Sequence, residues 1–324
     1  MQKKSILKYG IYFFSLILLM MTGCNKFKGD QEVPAYIQID SITVTPAFGL
    51  NPTAKIVDAW VTVDGWNIGA YQLPLRIPVL KRGEHKVLIQ AGILANNLSL
   101  RRHNYPFYSG KLLTVNLMED SIVYITRKDT IMNGKNTAII KPIEVELRDA
   151  YKSLLLNEDF ERGKHSFDTA STFGSVLLEI KQCHTVPTST PERLYGDHVG
   201  LIHLEKGDSC CIWTKEIFKK GTETELPFNQ PIFVEIDYLT NNIFEVGIVS
   251  MANQKKSFHS VVVVGSQRNP EWSKIYVDIS NAVTSKIYEG VNEFQIFIRA
   301  DLEEDNPEAN IYLDNIRLVF TPLK

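Results

Sequence analysis

Tyr36-Ile37-Gln38-Ile39-Asp40-Ser41-Ile42-Thr43-Val44 sets the reading of this chain. Apolar and polar residues partly alternate, and β-branched side chains are frequent. That is the period-two pattern of a strand with one face buried. The signal returns at residues 56–63, 86–90, 111–117, 122–126 and 138–147, with turn residues Asp64-Gly65, Arg82-Gly83 and Asn133-Gly134 between them. No stretch here sustains a 3.6-residue period. Short strands at this spacing predict an immunoglobulin-like sandwich over residues 35–150.

The second half, from Leu154, reads the same way. Strand patterns occupy 176–183, 199–204, 209–217, 232–239, 244–250, 260–265, 274–279, 293–300 and 310–320, and one short helix fits within 281–288. Many strands over roughly 170 residues with so little helix predict a jelly-roll β-sandwich over 154–322. The fold class is therefore all-β: an immunoglobulin-like sandwich followed by a jelly roll, joined near residues 148–153. Each half carries its own alternation, so a fragment starting at Leu154 is expected to fold alone.

Two resemblances sharpen these readings. Val61-Thr62-Val63-Asp64-Gly65-Trp66-Asn67-Ile68-Gly69, then Leu73-Pro74, then Val79-Leu80-Lys81-Arg82-Gly83-Glu84-His85-Lys86-Val87, is similar to the PEGA-type module. That pattern is a strand ending in V-D-G, a G-x-x-P step, and G-x-H-x-V on the next strand. It implies a small non-catalytic β-sandwich of an envelope protein. Asp64-Gly65 suits a tight turn at positive φ. The least sheet-like segment of this half, 91–108, holds Arg101, Arg102, His103, Tyr105, Pro106, Phe107 and Tyr108. Either a binding surface or core packing beside a solvated arginine pair fits those residues.

In the second half, the opening Asn157-Glu158-Asp159-Phe160-Glu161, the central Phe233-Val234-Glu235-Ile236-Asp237-Tyr238, then Trp272-Ser273-Lys274-Ile275-Tyr276-Val277 and the closing Ile311-Tyr312-Leu313-Asp314-Asn315-Ile316-Arg317-Leu318 resemble the carbohydrate-binding-module class of jelly rolls. The resemblance implies that the terminal strands pair. It makes Glu161 and Asp314 candidates for a structural Ca²⁺, which favours hard oxygen ligands. Two acids bonded to backbone at strand ends fit the same residues, and no other cofactor is indicated. Sugar binding asks for exposed rings, for which Trp213, Trp272, Tyr195, Tyr238 and Tyr288 are available. Tyr238 and Trp272 lie inside alternating apolar runs and read as core. Trp213, Tyr195 and Tyr288 remain as binding candidates, and no exposed aromatic platform stands out.

The N-terminus has the three parts of a secretory signal over residues 1–23. Lys3, Lys4 and Lys8 precede an apolar run at 11–21, and Thr22-Gly23-Cys24 closes it. The run is shorter than the ~20 residues that cross a bilayer. Met21-Thr22-Gly23-Cys24 resembles the lipobox of bacterial lipoproteins, with Met21 where Leu is usual. The resemblance implies cleavage before Cys24, a diacylglyceryl thioether on its sulfur and an acyl chain on its amine. One acyl chain binds membranes marginally, whereas two or more hold stably. Residues 24–34 read as a lipidated tether. The β-rich style resembles lipoproteins of the Bacteroidota. Asn25 lacks the inner-membrane retention signal, and Asn25-Lys26-Phe27-Lys28-Gly29 has no acidic export cluster, which implies the outer membrane with the body facing the periplasm.

Composition narrows the partners. The chain has 324 residues with 35 basic and 37 acidic side chains. Loss of Lys3, Lys4 and Lys8 with the leader leaves 32 basic against 37 acidic, a net charge of −5. That disfavours nucleic acid as a partner. Beyond Cys24 three cysteines remain. Cys210 and Cys211 are neighbours on a predicted strand and face opposite ways, so only one could bond Cys183. Three small buried hydrophobes fit equally. There is no G-x-S-x-G, H-E-x-x-H or phosphate-cradling glycine loop, and no single carboxylate pair stands out for glycoside hydrolysis. The chain thus reads as a non-catalytic envelope lipoprotein acting through protein contacts, with glycan binding by the jelly roll as the alternative.

Overall fold

The computed structural model describes residues 32–50, 53–125, 127–132, 135–169, 174–187, 196–252, 255–266 and 270–322. Cys24, most of the tether and Tyr195 lie outside the described residues.

The first half holds twelve strands among the described residues: β1 (Ala35–Ile39), β2 (Ile42–Thr45), β3 (Asp58–Val63), β4 (Trp66–Gln72), β5 (Leu75–Val79), β6 (Gly83–Leu94), β7 (Arg102–Asn104), β8 (Lys111–Leu117), β9 (Ile122–Tyr124), β10 (Arg127–Met132), β11 (Lys135–Ile140) and β12 (Ile143–Glu146). One sheet has the order β4-β3-β6-β7, with β8 also on β6. Smaller sheets β5-β1-β9 and β12-β2 supply the other wall, and β10-β11 is a separate hairpin. Burial alternates along β1 and β5, as their sequences require. Ile37, Ile77, Val61 and Ile89 meet in one shared core. Asp64 (φ 50) and Gly65 (φ 81) both sit in the left-handed region, the two-residue hairpin geometry expected of Asp-Gly. Asp64 also pins the neighbouring turn. Its carboxylate accepts from Lys81 Nζ at 2.7 Å and from the Lys86 amide at 3.0 Å, and lies 2.7 Å from His85 Nδ1.

The second half has β13 (Asn157–Glu158), β14 (Phe167–Thr169), β15 (Glu179–Gln182), β16 (His198–Leu204), β17 (Ser209–Thr214), β18 (Phe218–Lys219), β19 (Ile232–Thr240), β20 (Phe244–Ala252), β21 (Lys255–Val264), β22 (Ser273–Asp278), helix α1 (Ser280–Tyr288), β23 (Glu293–Asp301) and β24 (Ala309–Phe320). They form two antiparallel sheets of six, β15-β16-β24-β19-β22 with β13 on β24, and β14-β17-β23-β20-β21 with β18 on β23. This is the jelly-roll sandwich. The first strand pairs with the last through Asn157–Arg317 and Glu158–Ile316. Val234, Ile236, Ile316 and Leu318 point inward to a core that reaches Ile248, Phe294 and Ile296 on the facing sheet.

Strand β19 is buried at every position. One face lies on the sandwich core; the other lies under the first half. Phe233, Tyr276 and Val319 belong to the same apolar cluster as Tyr105, Phe107, Tyr108 and Tyr151. In the 101–108 segment Tyr105, Phe107 and Tyr108 are therefore core, while Arg101, Arg102 and His103 stay exposed and Arg102 pairs with Asp58. Polar bonds seal the seam: Lys55 N–H to Tyr276 Oη at 3.0 Å, Asp278 N–H to Asn96 Oδ1 at 2.9 Å, and Asn96 N–H to the Tyr276 carbonyl at 2.9 Å.

The cysteines occupy three layers. Cys210 faces the jelly-roll core, Cys211 faces out from the same strand, and Cys183 packs on the outside of the opposite sheet. Burial raises the Cys210 and Cys211 thiols to about 12 and about 11.

Candidate functional site: an aromatic pocket at the edge of the jelly roll

A pocket of about 400 Å³ opens where β18, the loop after it and the end of α1 meet. Its floor is Phe218, Leu226, Val291 and Phe294, all part of the sandwich core. Its mouth carries two rings that water reaches: Phe228 is 41% exposed and Tyr288 77%. Their centroids lie 5.0 Å apart at 80°, edge to face. Lys220, Glu225 and Asn292 supply the polar lining.

Local structure fixes this arrangement. In α1, Val283 and Ile287 lie one turn apart and pack on the core, so Tyr288, roughly 100° further round, is turned to solvent. Ser280 and Asp278 hold the start of the helix, with Ser280 N–H to Asp278 Oδ1 at 3.0 Å. The Asn229 amide donates to Thr284 Oγ1 at 3.2 Å, which ties the loop carrying Phe228 to the helix carrying Tyr288. Glu225 is set by the Gly221 amide at 2.7 Å, and the Lys220 amide donates to the Asn292 carbonyl at 2.8 Å. Apolar floor, paired rings and hydrogen-bonding rim together suit a small ligand with one apolar and one polar face. The lining has a single carboxylate, Glu225.

A second, wider hollow of about 750 Å³ lies between residues 206–209 and 301–307 and is strongly acidic. Two of its acids already serve the loops: Asp208 accepts the Glu205 amide at 3.0 Å and Glu303 the Ile243 amide at 3.1 Å. Among the described residues, no group of three or more His, Cys, Asp or Glu side chains is placed to hold a metal ion.

The sequence candidates fall in different places. Tyr288 stands at the pocket mouth. Trp213 lies nearly buried on the outer face of the second sheet, against Phe258, with the Lys256 ammonium 4.1 Å from its ring centroid. Tyr238 is core, and Trp272 packs against the Tyr312 cluster. Glu161 sits in the turn after β13, not on the strand itself, and accepts the Asp197 and His198 amides at 2.7 and 2.9 Å. Burial would raise its carboxyl, but those bonds hold it below the usual range. Asp314 accepts the Asn315 amide at 2.7 Å; burial, then the nearby Asp237 charge, pushes it up to about 9. The two candidate calcium ligands thus bond to different partners. Phe228 carries half of the pocket mouth and was missed, because its loop has no periodic signal.

No protein-family model and no curated protein matches the sequence. Several solved structures resemble it. One, of promiscuous carbohydrate-binding modules from the β-sandwich superfamily, aligns over 90% of this chain and 100% of its own at 12% identity, with a TM-score of 0.37. The N-terminal CBM22-1-CBM22-2 tandem domain of Paenibacillus barcinonensis Xyn10C aligns over 89% and 78% at 10% identity and TM-score 0.34. A CBM28 module specific for non-crystalline cellulose aligns over 52% and 96% at 11% identity and TM-score 0.35. Likeness at this level carries no inference about ligand, and the jelly roll rests on the strand order above.

Proposed function

We propose that this chain is a non-catalytic envelope lipoprotein, anchored through Cys24 to the outer membrane and facing the periplasm, whose jelly roll binds carbohydrate in the Phe228–Tyr288 pocket. The carrying observation is the exposed ring pair over an apolar floor. The sequence favoured protein contacts because it offered no exposed aromatic platform; Phe228 and Tyr288 supply one. A pyranose ring has an apolar C–H face and an equatorial fringe of hydroxyls. The face suits the Tyr288 ring, and the hydroxyls find an ammonium, a carboxylate and an amide in Lys220, Glu225 and Asn292.

The test is a screen of soluble oligosaccharides by titration calorimetry, wild type beside Tyr288→Ala and Phe228→Ala. Tyr288 is mostly exposed, so its loss should leave melting unchanged. A lost ring contact of ~1.4 kcal/mol weakens binding about tenfold. Binding that both variants retain in full would move the site elsewhere, and failure of every glycan to bind would return the protein-contact reading.

A further inference from the structure

Four large apolar side chains protrude at one end of the first sandwich: Trp66 is 74% exposed, Leu80 60%, Met118 58% and Val33 46%. They are distant in sequence, and strand register gathers them. Ala35 pairs with Val79, so continuing that register brings Pro34 across from Leu80 and Val33 one residue beyond it. The Asp120 amide donates to the Pro34 carbonyl at 3.1 Å, which brings the 118–120 turn to the same place. Gly83 pairs with Leu117, and Arg82 pairs with Glu119. Asp64, two residues before Trp66, is held by Lys81 and His85. Single exposed apolar residues are ordinary on a protein surface. Four at one end, tryptophan among them, mark an interaction surface.

The chain itself indicates what covers it. Residue 32 leads directly into β1 at this end. Seven residues separate it from Cys24, and the eight Cα-to-Cα steps between them reach at most ~28 Å when extended. A lipid on Cys24 therefore keeps this end close to the headgroups. The opposite end of β6 meets the jelly roll, through the bridge between Ala95 and Tyr276. Twelve residues at about 3.3 Å each put roughly 40 Å between the two ends of that strand.

We infer that this end of the first sandwich is a bilayer-contacting surface, with Trp66, Leu80 and Met118 entering the headgroup zone of the membrane that holds the Cys24 lipid. The inference rests on the anchor proposed above. Tryptophan favours that zone because its ring is apolar and its N–H polar. The surrounding charges are Lys81, Arg82 and Lys86 against Asp64, Glu84, Glu119 and Asp120, and two ion pairs already join Lys81 to Asp64 and Arg82 to Glu119. No basic excess attracts anionic lipid, so the contact is apolar and insensitive to salt.

The experiment uses the full processed chain, extracted from membranes and reconstituted into phosphatidylcholine vesicles with or without brominated acyl chains. Intact mass of the N-terminus first settles the anchor. Brominated lipid should then quench the protein's tryptophan fluorescence, and Trp66→Phe should remove most of that quenching. Leu80→Asp with Met118→Asp should also reduce it, while carbohydrate binding stays as in wild type. Quenching that persists at high salt supports apolar insertion. A lipidated chain whose Trp66 is not quenched overturns this inference and leaves the anchor standing. An unlipidated Cys24 overturns both.

Discussion

Tyr105 of the first half donates a 2.6 Å hydrogen bond to Glu235 of the second, and both side chains are buried. Tyr151 donates to the same oxygen, and Lys274 Nζ lies 2.9 Å from the other. Lys274 continues to Thr53 at 3.2 Å and Asp237 at 3.4 Å. Burial alone would raise the Glu235 carboxyl; Lys274, Arg317 and the two tyrosines overcome it and hold the group below its usual range. The first half thus completes the solvation of a charge that the jelly roll buries.

That relationship predicts one cooperative unit. A hydrogen bond to a buried charge contributes about 1.5–3 kcal/mol, so Tyr105→Phe and Tyr151→Phe should each lower stability by that order in denaturant titrations. Calorimetry should show a single transition. A fragment starting at Leu154 would expose Phe233, Tyr276 and Val319 and strip Glu235 of two donors, so it should aggregate or stay unfolded. Two well-separated transitions, or a native-like fragment, would contradict this.

Asp314 sets a pH dependence of the opposite sign to that of a paired carboxylate. Its folded value of about 9 lies above the ~3.9 of an unfolded aspartate. Between those values the folded state holds a proton that the unfolded state has lost, so stability falls as pH rises from about 4 to about 9. The groups that bear on it are Asp237, Arg317 and Asp159. Asp314→Asn keeps an amide oxygen for the Asn315 N–H and cannot ionise. It should flatten the decline of melting temperature over roughly pH 5 to pH 9, the window that linkage gives. An unchanged slope would show that Asp314 does not carry it.

Gly247, the one glycine of β20, should resist replacement. A Cβ there would stand 2.2 Å from the His259 carbonyl oxygen, which is backbone of the paired strand and cannot swing away. Gly247→Ala is expected to cost ~3 kcal/mol or more through strand displacement. Gly265→Ala meets nothing within 4 Å and serves as the control. Equal melting of the two variants would refute the crowding.

Much of the architecture was legible. Period-two alternation marked the strands because one face of each is usually wet, and Asp64-Gly65 marked a hairpin because few other pairs accept two positive φ angles. The short helix fell where its sequence indicated. The junction was not legible. Glu235 and Asp237 look like solvent-facing positions of an alternating strand; they are buried because another part of the chain closes over them, and alternation does not encode that cover. The bulge at Asn315, with φ 46, gave no local warning either. At the pocket, Tyr288 was available as an aromatic at a helix end. Phe228 was not, because a loop side chain acquires its meaning from the helix it is tied to.

The placing of β1 between β5 and β9 bears on how the molecule carries force. A chain anchored at Cys24 and loaded at its pocket would be pulled along the axis of β1, away from neighbours held at the far end. The ladder from Ala35–Val79 to Ile39–Leu75, and the parallel one beside it, would then be loaded in shear. All their bonds share the tension at once, whereas a strand peeled sideways gives them up one at a time. With the anchor and the pocket proposed above, a pull between them would fall on these two ladders together.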